Sequence, residues 1–299
     1  MLCFTCKMMR GVKQYEPHRP IGIALVLPIP AGGIAMQLHL HGGKRVRFCR
    51  LLNESSDSLL LVPLDHSVAD GPITTGSELV RLARIVADNG ADGLILHKGR
   101  VRFLPPELFR HISLIVHLSG STAHAPDADA KILLALVEEA VELGADAVSV
   151  HVNLGSATET RQLGDLGQVA ERCSRWGMPL LAMIYPRGPQ IIDPAAEHLV
   201  AHAASIAADL GADIVKTPYT GDLESMARVV ASCPIPVVTA GGAPVHDDDT
   251  LSQAVSEVMA SGALGVAMGR NIFRSNNPAE TTRRVAEAVH AGRAVAAVA

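Results

Sequence analysis

Aromatic side chains are scarce, 3% of 299 residues with a single tryptophan. A core must then be built from Ala, Val, Leu and Ile, and the 26 glycines favour close packing of helices on a sheet. Cysteine is also sparse and odd in number (Cys3, Cys6, Cys49, Cys173, Cys233), which excludes a disulfide scaffold and makes the reducing cytoplasm the expected compartment. Cys3 and Cys6 form a C-x-x-C, but no second pair stands at zinc-site spacing and no redox-motif context follows. Neither sign of charge dominates: 26 Lys and Arg against 30 Asp and Glu leave a net charge of -4, without a basic face for nucleic acid or a membrane surface. Apolar runs reach roughly 5–8 residues, far short of the ~18–20 that span a bilayer. Residues 21–36 are interrupted by Pro28, Pro30 and Gly32-Gly33, and no signal-peptide cleavage site is evident. What is present is a 48% hydrophobic chain of mean hydropathy +0.25, suited to one large domain or two small ones and to a soluble protein.

One phrase recurs: Asn89-Gly-Ala-Asp-Gly-Leu-Ile-Leu, Leu143-Gly-Ala-Asp-Ala-Val-Ser-Val, Leu210-Gly-Ala-Asp-Ile-Val-Lys and, degraded, Ser261-Gly-Ala-Leu-Gly-Val-Ala-Met. Each reads as a helix ended by glycine, a short loop and a β-branched run. Gly90, Gly144, Gly211 and Gly262 stand 54, 67 and 51 residues apart, about two strand-plus-helix units, and a second apolar run fills each gap (112–118, 179–184, 235–239). With residues 59–64 in front, eight strands result. Leu79, Leu82, Ile85 and Val86 share a helical face, as do Ile132, Leu133, Leu136, Val137, Ala140 and Val141. Asp193-Pro194 and Asn277-Pro-Ala-Glu280 read as helix starts. Strands that are continuous apolar runs between helices indicate an α/β fold with a parallel sheet covered on both faces. A single (β/α)8 TIM barrel over residues 46–299 is the leading architecture; an open doubly wound sheet would carry fewer strands, and no G-x-G-x-x-G follows the first strand. Residues 1–45, with His39-Leu-His41-Gly-Gly, stand outside the pattern and predict an irregular extension, either poorly ordered or upstream of a natural start at Met36.

Chemistry in such barrels sits where the strands end. Those ends carry Asp65-His66, His97-Lys98, His117, His151, Tyr185-Pro-Arg187-Gly188, Lys216-Thr-Pro-Tyr219, Thr239-Ala-Gly241-Gly242 and Gly269-Arg270-Asn271. Any one histidine can be read as a hydrogen-bonded structural residue. Zinc would want histidines close in space, an arrangement these dispersed positions do not indicate, so no metal is expected. Lys216 follows Ile214-Val215 in an apolar barrel, where burial disfavours its charged form and makes an amine available for a Schiff base with a ketone; a phosphate-binding or salt-bridged lysine is the alternative. Lys98, with Gly99, Arg100 and Arg102 behind it, reads as a solvated basic loop or a supporting charge. The backbone of Gly241-Gly242 and Gly269, with the Arg270 guanidinium, suits a phosphate, so the expected partner is a phosphorylated small molecule. Asp247-Asp-Asp249 reads as the acidic first turn of a helix.

Val62-Pro-Leu-Asp-His-Ser, Asp70-Gly-Pro, His151-Val-Asn-Leu-Gly, Trp176-Gly-Met-Pro-Leu-Leu-Ala-Met, Tyr185-Pro-Arg-Gly, Gly211-Ala-Asp-Ile-Val-Lys-Thr-Pro-Tyr-Thr-Gly, Ala240-Gly-Gly and Gly269-Arg-Asn-Ile-Phe occur in one order over residues 46–290. Together they resemble the class I aldolases related to archaeal fructose-bisphosphate aldolase, most closely the 2-amino-3,7-dideoxyheptulosonate synthase branch. The resemblance implies a (β/α)8 barrel that forms homo-oligomers and uses no metal or cofactor. It makes Lys216 the Schiff-base lysine, Tyr185 the proton donor and acceptor, Asp65 a second acid/base, and Gly241, Gly242, Gly269 and Arg270 the phosphate site. His66 and Arg187 become candidates for reading the carboxylate of an aldehyde acceptor. Family members often place a lysine after the Gly-Gly pair; here Ala243-Pro244-Val245 follows, leaving contact to the backbone. The relatives divide among fructose-bisphosphate cleavage, transfer of a three-carbon unit from a deoxyketohexose phosphate to aspartate semialdehyde, and condensation of dihydroxyacetone phosphate with aspartate semialdehyde toward 3-amino-4-hydroxybenzoate. A Lys-poor, Ala-, Val- and Arg-rich composition, as in GC-rich genomes, favours the condensation. A non-catalytic phosphosugar-binding barrel is the reading of a different class.

Overall fold

The structure, a computed structural model, describes residues 25–27, 36–38, 40, 42–245 and 247–294. Eight parallel strands form a closed barrel, β1 (Leu59–Pro63), β2 (Gly93–His97), β3 (Ser113–His117), β4 (Ala147–Leu154), β5 (Leu180–Pro186), β6 (Ile214–Thr217), β7 (Val237–Ala240) and β8 (Gly265–Ala267). Each pairs with its neighbours in chain order, and β8 returns to β1 through Gly265 opposite Leu59 and Ala267 opposite Leu61. The eight apolar runs of the sequence are these eight strands, and the sheet is closed, not open. All five residues of β1 are buried, as expected for a strand covered by side chains inside the barrel and by helices outside it.

The recurring Gly-Ala-Asp is a brace at the face where the strands begin. Its glycine ends the preceding helix at positive φ: 94° at Gly90, 77° at Gly144 and 89° at Gly211. Its aspartate reaches back to the previous strand, accepting from Leu60 N at 2.6 Å (Asp92), Leu114 N at 3.1 Å (Asp146) and Leu180 N at 2.8 Å (Asp213). One carboxylate thus ties an even strand to an odd one, which is why the phrase returns at every second strand. Each carboxylate also meets a basic side chain: His290 at 3.6 Å, Arg50 at 3.6 Å and Lys44 at 2.9 Å. Lys44 and Arg50 lie on a helix, Gly42–Leu51, that buries Phe48 and Leu51 against this end of the barrel.

That helix begins inside the segment expected to be irregular, and Leu25–Leu27 pairs antiparallel with Met36–Leu38, so residues 1–45 are not irregular throughout. Expectations for the order of residues 1–24 and for Cys3 and Cys6 fall outside the described residues. The eightfold helix pattern breaks in two places. After β2 come only Lys98–Val101 and a single 3-10 turn, Pro106–Arg110, because Pro105-Pro106 blocks a continuous helix. After β3, Ile132 and Leu133 do not join a helical face. They pair antiparallel with Gly120 and Ser119, and the helix Val137–Glu142 starts where the Glu139 carboxylate accepts the Leu136 N–H at 2.8 Å. Residues 118–136 form a strap over the rim.

Helix starts divide likewise. Asn277 accepts from Glu280 N at the head of Pro278–Ala294, and Asp247 accepts from Thr250 N at 2.7 Å before Asp248–Ala260, which makes the acidic run a first turn. Asp193 instead closes a turn of its own on Ala195 N at 2.9 Å, and the helix runs Glu197–Asp209.

The seam leaves no room for a side chain. A Cβ at Gly265 would lie 1.8 Å from the Leu59 carbonyl oxygen, a backbone atom that cannot yield without breaking the β8–β1 pairing. Gly265→Ala is expected to lower stability by more than about 3 kcal/mol, read as a drop in the urea midpoint. A midpoint within experimental error of wild type would contradict so tight a seam.

Candidate active site

The strand ends enclose a cleft of about 740 Å3 whose walls include Asp65, His66, Tyr185, Arg187, Lys216, Gly241, Gly242, Gly269 and Arg270. All nine positions singled out in the sequence therefore meet in one space. The arrangement follows from the pleat, since alternate residues of a barrel strand point inward. Lys216, opposite Met183 on β5 and Val238 on β7, is 7% exposed, and its Nζ lies 6.0 Å from the centre of the Tyr185 ring. The buried Tyr185 is flanked by the Arg187 guanidinium, 4.8 Å over its ring, and by the edge of His151 at 5.0 Å. The phenol is thereby fixed beside the lysine by packing on two sides.

Asp65 follows β1 at the rim. Burial pushes its carboxyl up, but His117, His66, Lys216 and His97 together outweigh that and hold it below its ordinary value, so it is a carboxylate at neutral pH. Behind it is a cluster of histidines that the sequence presents only as single residues. His117 Nε2 stands 3.9 Å from Asp65 Oδ2 while its Nδ1 shares a 2.8 Å hydrogen bond with Ser149 Oγ, and His97 Nδ1 donates to the His117 carbonyl at 3.2 Å. Burial drives His117 down to about 4 despite Asp65, so its ring is neutral near pH 7. His151 is also pushed well below its usual range by burial, with its Nε2–H donated to Asn153 Oδ1 at 2.8 Å. Among the described residues no three His, Cys, Asp or Glu side chains converge to hold a metal ion.

The opposite wall is made of backbone. Gly241 passes so close to Met268 that a Cβ would sit 2.8 Å from its Cγ, and a Cβ on Gly269 would sit 2.5 Å from the Pro63 carbonyl. Glycine is required at both, and an anion can approach the main chain. Gly241 N is already spent on Ala267 O at 3.0 Å, which narrows the expected donors to Gly242, Gly269 and Arg270. Arg270 donates to Gly242 O at 3.0 Å, and Asn271, not foreseen from the sequence, bonds Gly241 O at 2.9 Å and Val245 N at 2.6 Å, locking the two loops together. His66 stands on this side, edge-on to Phe273 at 5.1 Å, with a buried Nδ1 that lacks a hydrogen-bond partner. Lys98 is outside the cleft, where it pairs with Glu139 at 2.6 Å on a part-exposed surface. Lys131, on the strap, does line the cleft, although nothing in the sequence marks it.

The buried imidazoles make stability depend on pH. A histidine whose folded value is depressed binds a proton more readily unfolded, so its contribution is present above the unfolded value near 6.5 and lost as pH falls toward the folded one. For His117, with a folded value of about 4, the loss between pH 7 and 4.5 amounts to about 2 kcal/mol. His117→Asn is expected to flatten the pH dependence of the urea midpoint in that window. An unchanged slope would mean that His117 is not the group responsible.

Comparisons with known proteins identify the family. Residues 59–275 match the DeoC/LacD family aldolases. A Streptomyces griseus 2-amino-4,5-dihydroxy-6-oxo-7-(phosphonooxy)heptanoate synthase is 49% identical over 247 residues, 83% of this chain and 90% of its own. An Archaeoglobus fulgidus 2-amino-3,7-dideoxy-D-threo-hept-6-ulosonate synthase is 43% identical over 248 residues, with coverage of 83% and 90%. The solved structure of an archaeal fructose 1,6-bisphosphate aldolase superposes with TM-score 0.75 at 28% identity, covering 84% of this chain and all of that one. A Schiff-base-forming fructose-1,6-bisphosphate aldolase gives 0.76 at 28% identity, with coverage of 83% and 100%. The chain belongs to the DeoC/LacD family of class I aldolases, which are carbon–carbon lyases.

Proposed function

We propose that this aldolase condenses dihydroxyacetone phosphate with L-aspartate 4-semialdehyde to 2-amino-4,5-dihydroxy-6-oxo-7-(phosphonooxy)heptanoate, a step toward 3-amino-4-hydroxybenzoate. The observation that carries the reading is a lysine, Lys216, buried at a strand end between Tyr185 and a glycine-and-arginine anion wall. The 49% identity to a synthase named for that product supports the choice of substrates.

In this mechanism the Lys216 amine adds to the ketone carbon, and loss of water leaves an iminium. The iminium draws electrons from the adjacent hydroxymethyl carbon, which gives up a proton to form the enamine. The enamine carbon then bonds to the aldehyde carbon while the aldehyde oxygen takes a proton, and hydrolysis restores the lysine. The Tyr185 hydroxyl serves the proton transfers at the carbinolamine and enamine. Asp65, held as a carboxylate, accepts hydrogen bonds from substrate hydroxyls. The phosphate rests on Gly242, Gly269 and Arg270, which fixes the reactive carbon relative to the lysine.

A second reading, transfer of a three-carbon unit from a deoxyketohexose phosphate, is favoured by the 43% identity to the archaeal synthase and uses the same imine. Borohydride reduction in the presence of dihydroxyacetone phosphate is expected to leave an adduct on the peptide that contains Lys216. Lys216→Met should leave none and lose turnover by a factor of roughly a thousand or more. An adduct formed only with the ketohexose phosphate would select the transfer reaction. A Lys216→Met variant that turns over at the wild-type rate would end both readings.

A further inference from the structure

The strand order makes the cleft a chord across the barrel. β3 is four strands from β7, and β4 is four from β8, so the strap after β3 faces the glycine loops across the opening. On the strap, Lys131 Nζ donates to Ser121 Oγ at 2.6 Å and to Ala128 O at 2.7 Å. An ammonium has three donors, so one is left, and the side chain lines the cleft. Arg187 lies on the same side, stacked on Tyr185, and acts on Lys131 as a like charge. Among the described residues neither cation has a carboxylate within ion-pair distance, although both serve the same cleft wall. Two neighbouring cations without an ion-pair partner are unfavourable unless an anion comes between them.

Acids accompany them. Asp129 and Asp70 line the cleft and attract Lys131 electrostatically without bonding to it. A phosphate would meet those carboxylates as like charges. A group bearing both a carboxylate and an ammonium would satisfy all of them. The strap is also anchored firmly enough to hold these groups in position. Asn153 and Gln162 both donate to the Asp129 carbonyl at 2.9 Å, and Arg161 donates to the Lys131 carbonyl at 2.9 Å.

We propose that Lys131 and Arg187 bind the carboxylate, and Asp129 the ammonium, of an α-amino acid end carried by the aldehyde acceptor. This deepens the preceding reading and rests on it. It also assigns the carboxylate to Arg187 instead of His66, which stands on the β1–β8 side beside the anion loops.

The test uses the full chain and two readouts. L-homoserine, the unreactive alcohol with the same amino acid end as aspartate semialdehyde, should bind the wild type in a calorimetric titration. Lys131→Met and Asp129→Asn should each weaken it about tenfold or more, and Lys131→Arg should recover most of the loss. In turnover, Lys131→Met should raise KM for aspartate semialdehyde about tenfold with kcat little changed. Asp129→Asn should abolish the preference for aspartate semialdehyde over succinate semialdehyde, which lacks the amine. Homoserine affinity that is unaffected by either substitution, or a wild type that prefers glyceraldehyde 3-phosphate as acceptor, overturns the proposal. Absence of an imine on Lys216 alongside intact, Lys131-dependent homoserine binding would instead locate the failure in the donor chemistry.

Discussion

Closure of the sheet is the constraint on which the rest of this protein depends. An open parallel sheet of eight strands would leave two unpaired edges and no common rim. Here β8 meets β1 because Gly265 lets two backbones approach where any Cβ would strike the Leu59 carbonyl. Once the ring is closed, every strand end lies on one circle, and side chains far apart in the chain, such as Asp65 and Lys216, share one cleft. The position of each residue around the circle then decides what it can touch. Lys216 on β6 neighbours Tyr185 on β5, while the strap and the glycine loops are held apart at opposite ends of a chord.

Burial of charge is costly, and the barrel confines it to places where something offsets it. At the lower face, desolvation drives Asp213 up in spite of Lys44 and its hydrogen bonds, and raises Asp92 to about 6. A backbone amide and one basic side chain each keep those carboxylates in place. At the upper face, burial pushes the Asp65 carboxyl up while the surrounding His117, His66, Lys216 and His97 hold it below its ordinary value, and burial in turn pushes those imidazoles down in spite of the carboxylate.

Much of this was legible in the chain because a parallel barrel writes itself locally. A strand buried on both faces is a continuous apolar run, a helix end is a glycine, and the residue after the run is at the rim. Asp65, Tyr185, Lys216, the Gly241-Gly242 pair and Gly269 could be read from that grammar. The strap could not. Ile132, Leu133, Leu136 and Val137 fit a helical period, but the first two serve a two-residue hairpin whose only sign is a partner at Ser119 and Gly120. Short apolar stretches satisfy both periods, and only the tertiary pairing decides. Lys131 could not be read either, since only the fold of the strap brings it to the cleft wall. Lys98, more prominent at its strand end, is neutralised by Glu139.

The Gly-Ala-Asp phrase shows how far a repeat can mislead about chemistry while informing about architecture. Three acidic copies look as suggestive as any motif in the chain, yet each carboxylate is spent on a backbone amide at the face away from the cleft. The fourth copy replaces the aspartate with Leu264, and it is the copy at the seam. There the backbone does the bracing: Leu59 N donates to Leu264 O at 3.0 Å, and Leu264 N to Val237 O at 2.7 Å. A carboxylate at that buried position would have had to find a donor where the strands already pair with one another. The helices after β7 and β8 clamp the seam from outside, with Thr281 bonded to Asp248 at 3.0 Å and Arg284 paired to Asp249. Stability is thus settled largely at one face and around the wall, which leaves the opposite rim to present side chains to the cleft.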